Sequence, residues 1–417
     1  MTAVVFEIDQ AHAMADQKVP GHNRWHPDIP VAVEVNPGDE FRVECREWTD
    51  AQIGNNDSAN DVRDVNLDKC HMLSGPVGVN GAEPGDLLIV DILDLGPVPL
   101  EEGPAPGQGW GYTGVFARNN GGGFLTDYFP DSLKAIWDLH GQQATSRHLP
   151  GVRYTGITHP GLFGTAPSAD LLGRWNDRER ALIATEPQRV PPLALPPNEK
   201  DALAGTLAAG SPEFVKVAQE GARTVPGREN GGNQDIKNFS RGSRVYVPVW
   251  VEGAKLSVGD LHFSQADGEI TFCGAIEMGG FIDFGVDLIK GGMEAYGVTT
   301  NPVFLPGNVE PRYSEFMSFV GVSVDHDTNT NYYMDATIAY RRACLNAVEY
   351  LKKFGYSGEQ AYLILGSAPI EGRISGIVDI PNACCTMYVP TGIFDFDVRP
   401  SADGPERVAR GACAVTS

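Results

Sequence analysis

Ser257-Val258-Gly259-Asp260-Leu261-His262-Phe263-Ser264-Gln265-Ala266-Asp267-Gly268-Glu269 is the stretch on which the fold is read. It begins with a Gly-Asp step and continues into an alternating run. The same pattern occurs in Asn36-Pro37-Gly38-Asp39-Glu40-Phe41-Arg42-Val43 and in Glu83-Pro84-Gly85-Asp86-Leu87-Leu88-Ile89-Val90. In those two, Pro sets φ at the first corner of a turn and Gly supplies positive φ at the next. The reading is a turn followed by a β-strand, three times over. Further strands are expected at Val31–Val35, Val245–Glu252, Glu269–Met278 and Glu315–Val324, all rich in Val, Ile, Phe and Tyr.

Helices are expected to be fewer. Asp131–Leu139 reads as a short one, and Ser168–Ile183 opens on a Ser cap after Pro167. Asp335–Phe354 has an Asp cap, a stripe of Cys344, Leu345, Val348 and Leu351, and a terminating Gly355. Ser357-Gly358-Glu359-Gln360 then matches a capping box. Gly96–Gly123 and Pro187–Ser211 read as long loops, the first carrying Trp110, Tyr112 and Phe116. The expected class is α+β and β-rich: sandwich- or barrel-like sheets, flanking α/β elements and two C-terminal helices. The chain divides into an N-terminal β-rich region (1–95), a loop-rich insert with short helices (96–228), a central β region (229–330) and a C-terminal α/β region (331–417).

The 417 residues are 42% hydrophobic and 21% charged, as in soluble globular proteins, with a net charge of −22. Such a surface repels phosphate backbones and anionic lipid, so neither nucleic acid nor membrane is an expected partner. No secretory leader is legible at the N-terminus. The seven cysteines include no CxxC pair and read as reduced, mostly buried thiols of a cytoplasmic protein.

The chemistry concentrates in a few places. Asp260 and His262 are two residues apart, so an extended backbone presents both on one face, with Gln265, Glu269 and Glu277 close behind. Acids around an imidazole suit a hard or borderline cation, and they also suit a water-activating base. Glu229-Asn230-Gly231-Gly232-Asn233-Gln234-Asp235 allows close backbone approach to a ligand; a Gly-Gly turn with an Asx bond is an equal reading. His159, in Thr158-His159-Pro160-Gly161, is held extended by the proline. His71 reads as a hydrogen-bonded loop residue and Cys273 as a buried strand thiol. Asp325–Asn331 begins like a calcium loop but lacks Gly at the sixth position and has Ala336 at the twelfth, so it reads as a solvated turn. No P-loop, strand-linked GxGxxG, GxSxG elbow or Ser-Ser-Lys amidase arrangement is present.

Taken in order, Asn80-Gly81-Ala82-Glu83-Pro84-Gly85-Asp86, His159-Pro160-Gly161, Gly231-Gly232-Asn233-x-Asp235 and Gly259-Asp260-x-His262-x-x-Gln265-x-Asp267-Gly268-Glu269 resemble the acetamidase/formamidase family. Gly372–Asn382 and Cys384–Pro390 are similar to the formamidase branch. One departure is Ala266, where the family has glycine. The resemblance implies hydrolysis of formamide to formate and ammonia, a cytoplasmic enzyme of nitrogen assimilation, a homo-oligomer and a metal-associated site. On that footing Asp260 and His262, with Asp235 or Glu277, are the expected ligands of a divalent metal, zinc foremost. Glu269 is the expected general base, and Asn233 and Gln265 are the expected hydrogen-bonding groups for a small neutral amide. His159 would orient substrate or complete the metal shell, and the Trp110–Phe124 loop would wall the site. The rivals are an acetamidase, a thiol amidohydrolase using Cys273, and a non-catalytic β-rich metal- or carbohydrate-binding module.

Overall fold

Strand is the commonest regular structure in the chain, and most of the strands assemble into two large sheets. The computed structural model describes residues 2–98, 108–185 and 198–417. One sheet has six strands in the order Ala3–Phe6, Glu40–Cys45, Gly280–Ile289, Leu87–Pro97, Arg244–Pro248, Val303–Leu305. It therefore draws strands from both the first and the third regions of the sequence. The other sheet has twelve strands. Five of these carry or flank the chemistry-bearing residues: β1 (Leu73–Val79), β2 (Gly109–Val115), β3 (His159–Gly164), β4 (Leu256–Gln265) and β5 (Phe272–Met278). The central order is β3-β4-β5-β2, with β1 also pairing with β4. The sheets do not close into a barrel. They share a core in which Val43, Val90 and Phe284 of one meet Val258, Leu261 and Met278 of the other.

Four helices accompany the sheets: α1 (Ala169–Thr185), α2 (Pro212–Glu220), α3 (Ala336–Leu351), which packs on a separate three-stranded sheet that includes Phe316–Val322 and Cys384–Pro390, and α4 (Gly358–Ser367), which packs against β2, β4 and β5. Asp335 caps α3 by accepting from the backbone of Thr337 and Ile338, and Ser357 with Gln360 closes a capping box on α4. Each such cap contributes about 1 kcal/mol. The strand-rich α+β class and the two C-terminal helices are as expected. Helix α2 was not expected, although Ser211 before Pro212 is a start signal of the ordinary kind.

Four local expectations are corrected. Leu133–His140 is a strand, not a helix. Ala135, Trp137 and Leu139 enter the main core while Ile136 enters a second cluster behind it, so both faces are buried and the apolar run carries no helical period. Gly109–Val115 is likewise a strand rather than loop. The third Gly-Asp step is not a turn: Gly259 and Asp260 lie inside β4, where a Cβ on Gly259 would sit 2.4 Å from the Met72 carbonyl oxygen. The strand expected from Glu269 starts at Phe272, and Glu269 belongs to the turn before it. Residues 99–107 and 187–197 of the two expected loops lie outside the described residues.

Candidate active site

A row of side chains crosses the large sheet. His159 on β3 lies opposite His262 on β4, His262 lies opposite Glu277 on β5, and Glu277 lies opposite Tyr112 on β2. Directly opposed residues of antiparallel strands share a face, so register alone gathers groups far apart in the chain. A one-residue register shift lies between His262 and Gln265. It turns Gln265 to the same face as His262, where regular alternation would have pointed it away.

This places Gln265 behind the His262 ring. Its Nε2 donates to the Asp235 carbonyl oxygen at 2.7 Å, and its Oε1 faces His262 Nδ1 at 2.9 Å. His159 donates from Nδ1 to the Ile157 carbonyl oxygen at 2.8 Å, leaving its Nε2 3.2 Å from His262 Nδ1. With two acceptors around it, His262 Nδ1 keeps its proton, so Nε2 is the ring atom that presents a lone pair once a cation takes the place of the second proton that the facing acids hold there. That atom is 3.0 Å from Glu277 Oε2 and 3.3 Å from Asp260 Oδ1. His262 Nε2, Glu277 Oε2 and Asp235 Oδ1 are all buried without a hydrogen-bond partner. One ligand atom each from Asp235, Asp260 and His262 lies within 4.8 Å of the others. Lone pairs converging on one point without hydrogen-bond geometry fit a cation, and acid-plus-imidazole donors fit a borderline divalent ion.

Two glycines make the arrangement sterically open. A Cβ on Gly161 would stand 2.4 Å from His262 Cε1, 2.7 Å from Asp235 Oδ1 and 2.9 Å from Asp260 Oδ2. The Gly161 carbonyl also accepts from Asp235 N at 3.1 Å, fixing the loop that carries this acid. A Cβ on Gly274 would stand 2.2 Å from Glu269 Cγ, so that side chain folds back over β5 only because the position is glycine. Asp235, Asp260, Glu269 and Phe272 all have φ between 45° and 82°. Left-handed backbone at non-glycine residues persists where the surroundings over-determine it, and it clusters at functional sites. Ala266, the departure from the family pattern, is not among the left-handed residues, so alanine fits there without strain.

Asp235, Asp260, Glu269, Glu277, Asn233 and His71 line one cavity of about 310 Å³, whose apolar wall is Trp48, Phe124, Val225 and Phe272. Burial pushes Asp235 up to about 7, with the Asp260 charge adding to it. Burial also pushes Glu277 up to about 8 and Glu269 well above the carboxylate range. Burial acts on Asp260 in the same direction, but the His262 imidazole outweighs it and holds that acid down at about 2. The His262 ring is raised well above its ordinary value, because Glu277 and Asp260 outweigh its burial. Burial, then the His262 charge, takes His159 down to about 3. Acids this close do not all ionise together unless a cation offsets them.

The structure separates the expected site residues into two layers. Asp235, Asp260, Glu269, Glu277 and Asn233 face the cavity. His159 and Gln265 do not: both are buried behind His262, and the Gln265 amide is already engaged at both ends. Asn233 Nδ2 donates to the Val225 carbonyl at 3.0 Å, and its Oδ1 is unpartnered. Asp267 is tied to Lys237 and accepts from Gly372 N at 2.9 Å, away from the cavity. Of the expected aromatic wall, Phe124 borders the cavity. Trp110 and Tyr112 border a separate one of about 570 Å³ on the other side of Glu277. Cys273 is buried, and burial raises its thiol well above the ordinary range, which suits an inert group. His71, expected as a hydrogen-bonded loop residue, lines the cavity, and Trp48, which the sequence does not single out, stands beside it; no local spacing marks either, because a tertiary contact brings them in.

A model of the Acetamidase/Formamidase family matches residues 7–396. The chain is 73% identical over 372 residues to an acetamidase of Mycolicibacterium smegmatis, covering 89% of this chain and 91% of that one. It is 60% identical over 405 residues to a formamidase of Methylophilus methylotrophus, covering 97% and 96%. Among solved structures it is similar to a gamma lactamase from Delftia acidovorans, with TM-score 0.94, 54% identity, and coverage of 100% and 99%.

Proposed function

Because this chain belongs to the acetamidase/formamidase family, we propose that it hydrolyses formamide to formate and ammonia in the cavity below His262. It is an amidohydrolase of small linear amides. The observation that carries the substrate reading is the convergence of Asp235, Asp260, Glu269 and Glu277 on one cavity beside the His262 ring, with the unpartnered Asn233 Oδ1 among them. Acetamide is the second reading, supported by the apolar wall and by a cavity larger than a one-carbon amide fills.

Asp235, Asp260 and His262 would hold a divalent cation, zinc being the expected ion, with Glu277 as a further ligand. When bound, the ion would supply Lewis-acid polarisation of the carbonyl and ease ionisation of water. The remaining steps belong to side chains. Asn233 Oδ1 accepts from the substrate NH₂ and orients the amide. Glu269 takes a proton from water as the new C–O bond forms and the carbonyl π pair moves onto oxygen. Glu269 returns that proton to nitrogen, the C–N bond breaks, and the oxygen pair re-forms the carbonyl as ammonia leaves. His159 and Gln265 hold the His262 ring in one tautomer throughout.

Self-association into a homo-oligomer is supported by the exposed apolar side chains of Ile374, Ile377, Val378 and Ile380. A cytoplasmic location is supported by free cysteines that are mostly buried. No helix among the described residues is long and apolar enough to cross a membrane. The test of the activity is ammonia release from formamide and from acetamide by purified enzyme, before and after chelation and metal restoration. Release from neither amide by metal-replete protein refutes the reading.

A further inference from the structure

His71 lines the same cavity and has no role in the steps above. Its ring is buried, stacked on Trp48 with centroids 4.9 Å apart at 41°. The Thr224 hydroxyl accepts from the backbone N of His71 at 2.6 Å and lies 3.2 Å from ring Nδ1. Among the described residues, Nδ1 is the acceptor within reach of that hydroxyl's own proton. Thr224 therefore donates to Nδ1, and the neutral ring carries its proton on Nε2. Nε2 makes no hydrogen bond among the described residues. Its nearest charged neighbour is Asp260 Oδ2, at 3.9 Å, beyond hydrogen-bond reach. The result is an oriented N–H aimed into the cavity beside the acids that gather around His262, with nothing yet to bond.

We propose that His71 is a catalytic residue of amide hydrolysis in this chain, donating a hydrogen bond from Nε2 to the substrate carbonyl oxygen and to the oxyanion formed when water adds to the carbonyl carbon. The inference rests on the amidase reading above. The chemistry has a physical reason. As the C–O bond forms, the π pair localises on oxygen, and a donor already in place at a dry site stabilises that charge without reorganising. No proton is transferred to or from His71. It keeps its N–H through collapse of the intermediate, when the oxygen pair returns and the C–N bond breaks.

The experiment compares His71→Ala, His71→Gln, Thr224→Ser and Thr224→Val in the metal-loaded enzyme, with kcat, KM, metal content and thermal midpoint measured for each. Loss of one oxyanion donor costs about 10²- to 10³-fold in kcat. His71→Ala is expected to show that loss with KM and metal content held, and His71→Gln, which keeps an N–H at the distal position, to recover most of it. Thr224→Ser, keeping the hydroxyl, should turn over like wild type, and Thr224→Val should lose part of kcat. Turnover of His71→Ala near that of wild type overturns the proposal. So does loss of metal from it, or a His71→Gln variant as slow as the alanine. If wild type itself releases no ammonia, the amidase reading fails instead, and the control shows this before any variant is compared.

Discussion

His262 Nε2 stands 3.0 Å from Glu277 Oε2, its direct cross-strand partner, and neither atom has a hydrogen bond. Two such atoms held together in a buried site need a positive charge between them. His262→Gln should therefore fold, retain its secondary structure, and lose turnover by about 10³-fold or more, together with its bound metal. Circular dichroism, metal analysis and ammonia release check the three parts. Near-normal turnover would place the chemistry elsewhere in the chain.

Metal binding should release protons. Asp235 is pushed up to about 7 and Glu277 up to about 8 chiefly by burial, and each binds a cation only when ionised. The sign is fixed: below those values protons compete for the ligand oxygens, and apparent affinity rises with pH until both are lost. The thermal midpoint gained on adding zinc to metal-free protein should therefore be larger at pH 8 than at pH 6. Calorimetry in buffers of different ionisation enthalpy should detect the released protons. A pH-independent gain would remove these two acids from the ligand set.

Gln265 acts through the His262 ring. Gln265→Leu keeps the volume and removes the acceptor facing Nδ1, so the tautomer that presents Nε2 is no longer fixed. Substitutions behind metal-binding imidazoles cost about 10- to 100-fold in affinity. Competition with a chromophoric chelator measures it; unchanged affinity would show that His159 alone holds the ring.

Gly161→Ala tests the steric opening at the centre of the site. The new Cβ would stand 2.4 Å from His262 Cε1 and within 3 Å of carboxylate oxygens of Asp235 and Asp260. Overpacking of that kind costs about 1–3 kcal/mol. The expected result is a lowered thermal midpoint and loss of metal, with Gly161→Ala far less active than wild type. A fully active variant would mean that β3 lies further from His262 than it does here.

What the sequence made legible was the chemistry carried on single strands and caps. Asp260, His262 and Glu277 were visible because two-residue spacing and a strand pattern put acids and an imidazole together, and Asp335 and Ser357 were visible as caps. What stayed hidden depends on register. The shift that brings Gln265 behind His262 leaves no mark in composition, so its amide was read as a substrate contact. His159, expected to orient substrate or complete the metal shell, stands behind His262 because the pairing of β3 with β4 sets the two rings opposite each other. Asp260 imitates the turn residues Asp39 and Asp86 in its neighbours, yet lies within a ten-residue strand. Its left-handed backbone is set by surrounding strands rather than by the local peptide. The apolar run at Leu133–His140 was ambiguous because a strand buried on both faces has no period to read.

Glu47 gives a prediction outside the metal cluster. Its carboxylate is buried and accepts from Thr49 Oγ1 at 2.5 Å, Tyr112 OH at 2.6 Å and Ala51 N at 2.9 Å. Burial outweighs those bonds and pushes its pKa from 4.5 up to about 7. A carboxyl whose pKa is raised on folding binds its proton more tightly in the native state. Its contribution to stability is therefore complete below pH 4.5 and lost as pH rises through 7. Replacing Glu47 by Gln removes the titrating group while keeping an acceptor. The thermal midpoint of Glu47→Gln minus that of wild type should therefore increase from pH 4.5 to pH 7 and level off above it. Measuring both proteins across that range cancels the other acids, which titrate in each. A flat difference would show that the three donors offset the burial of Glu47 completely, and a falling one would show that they overcompensate for it.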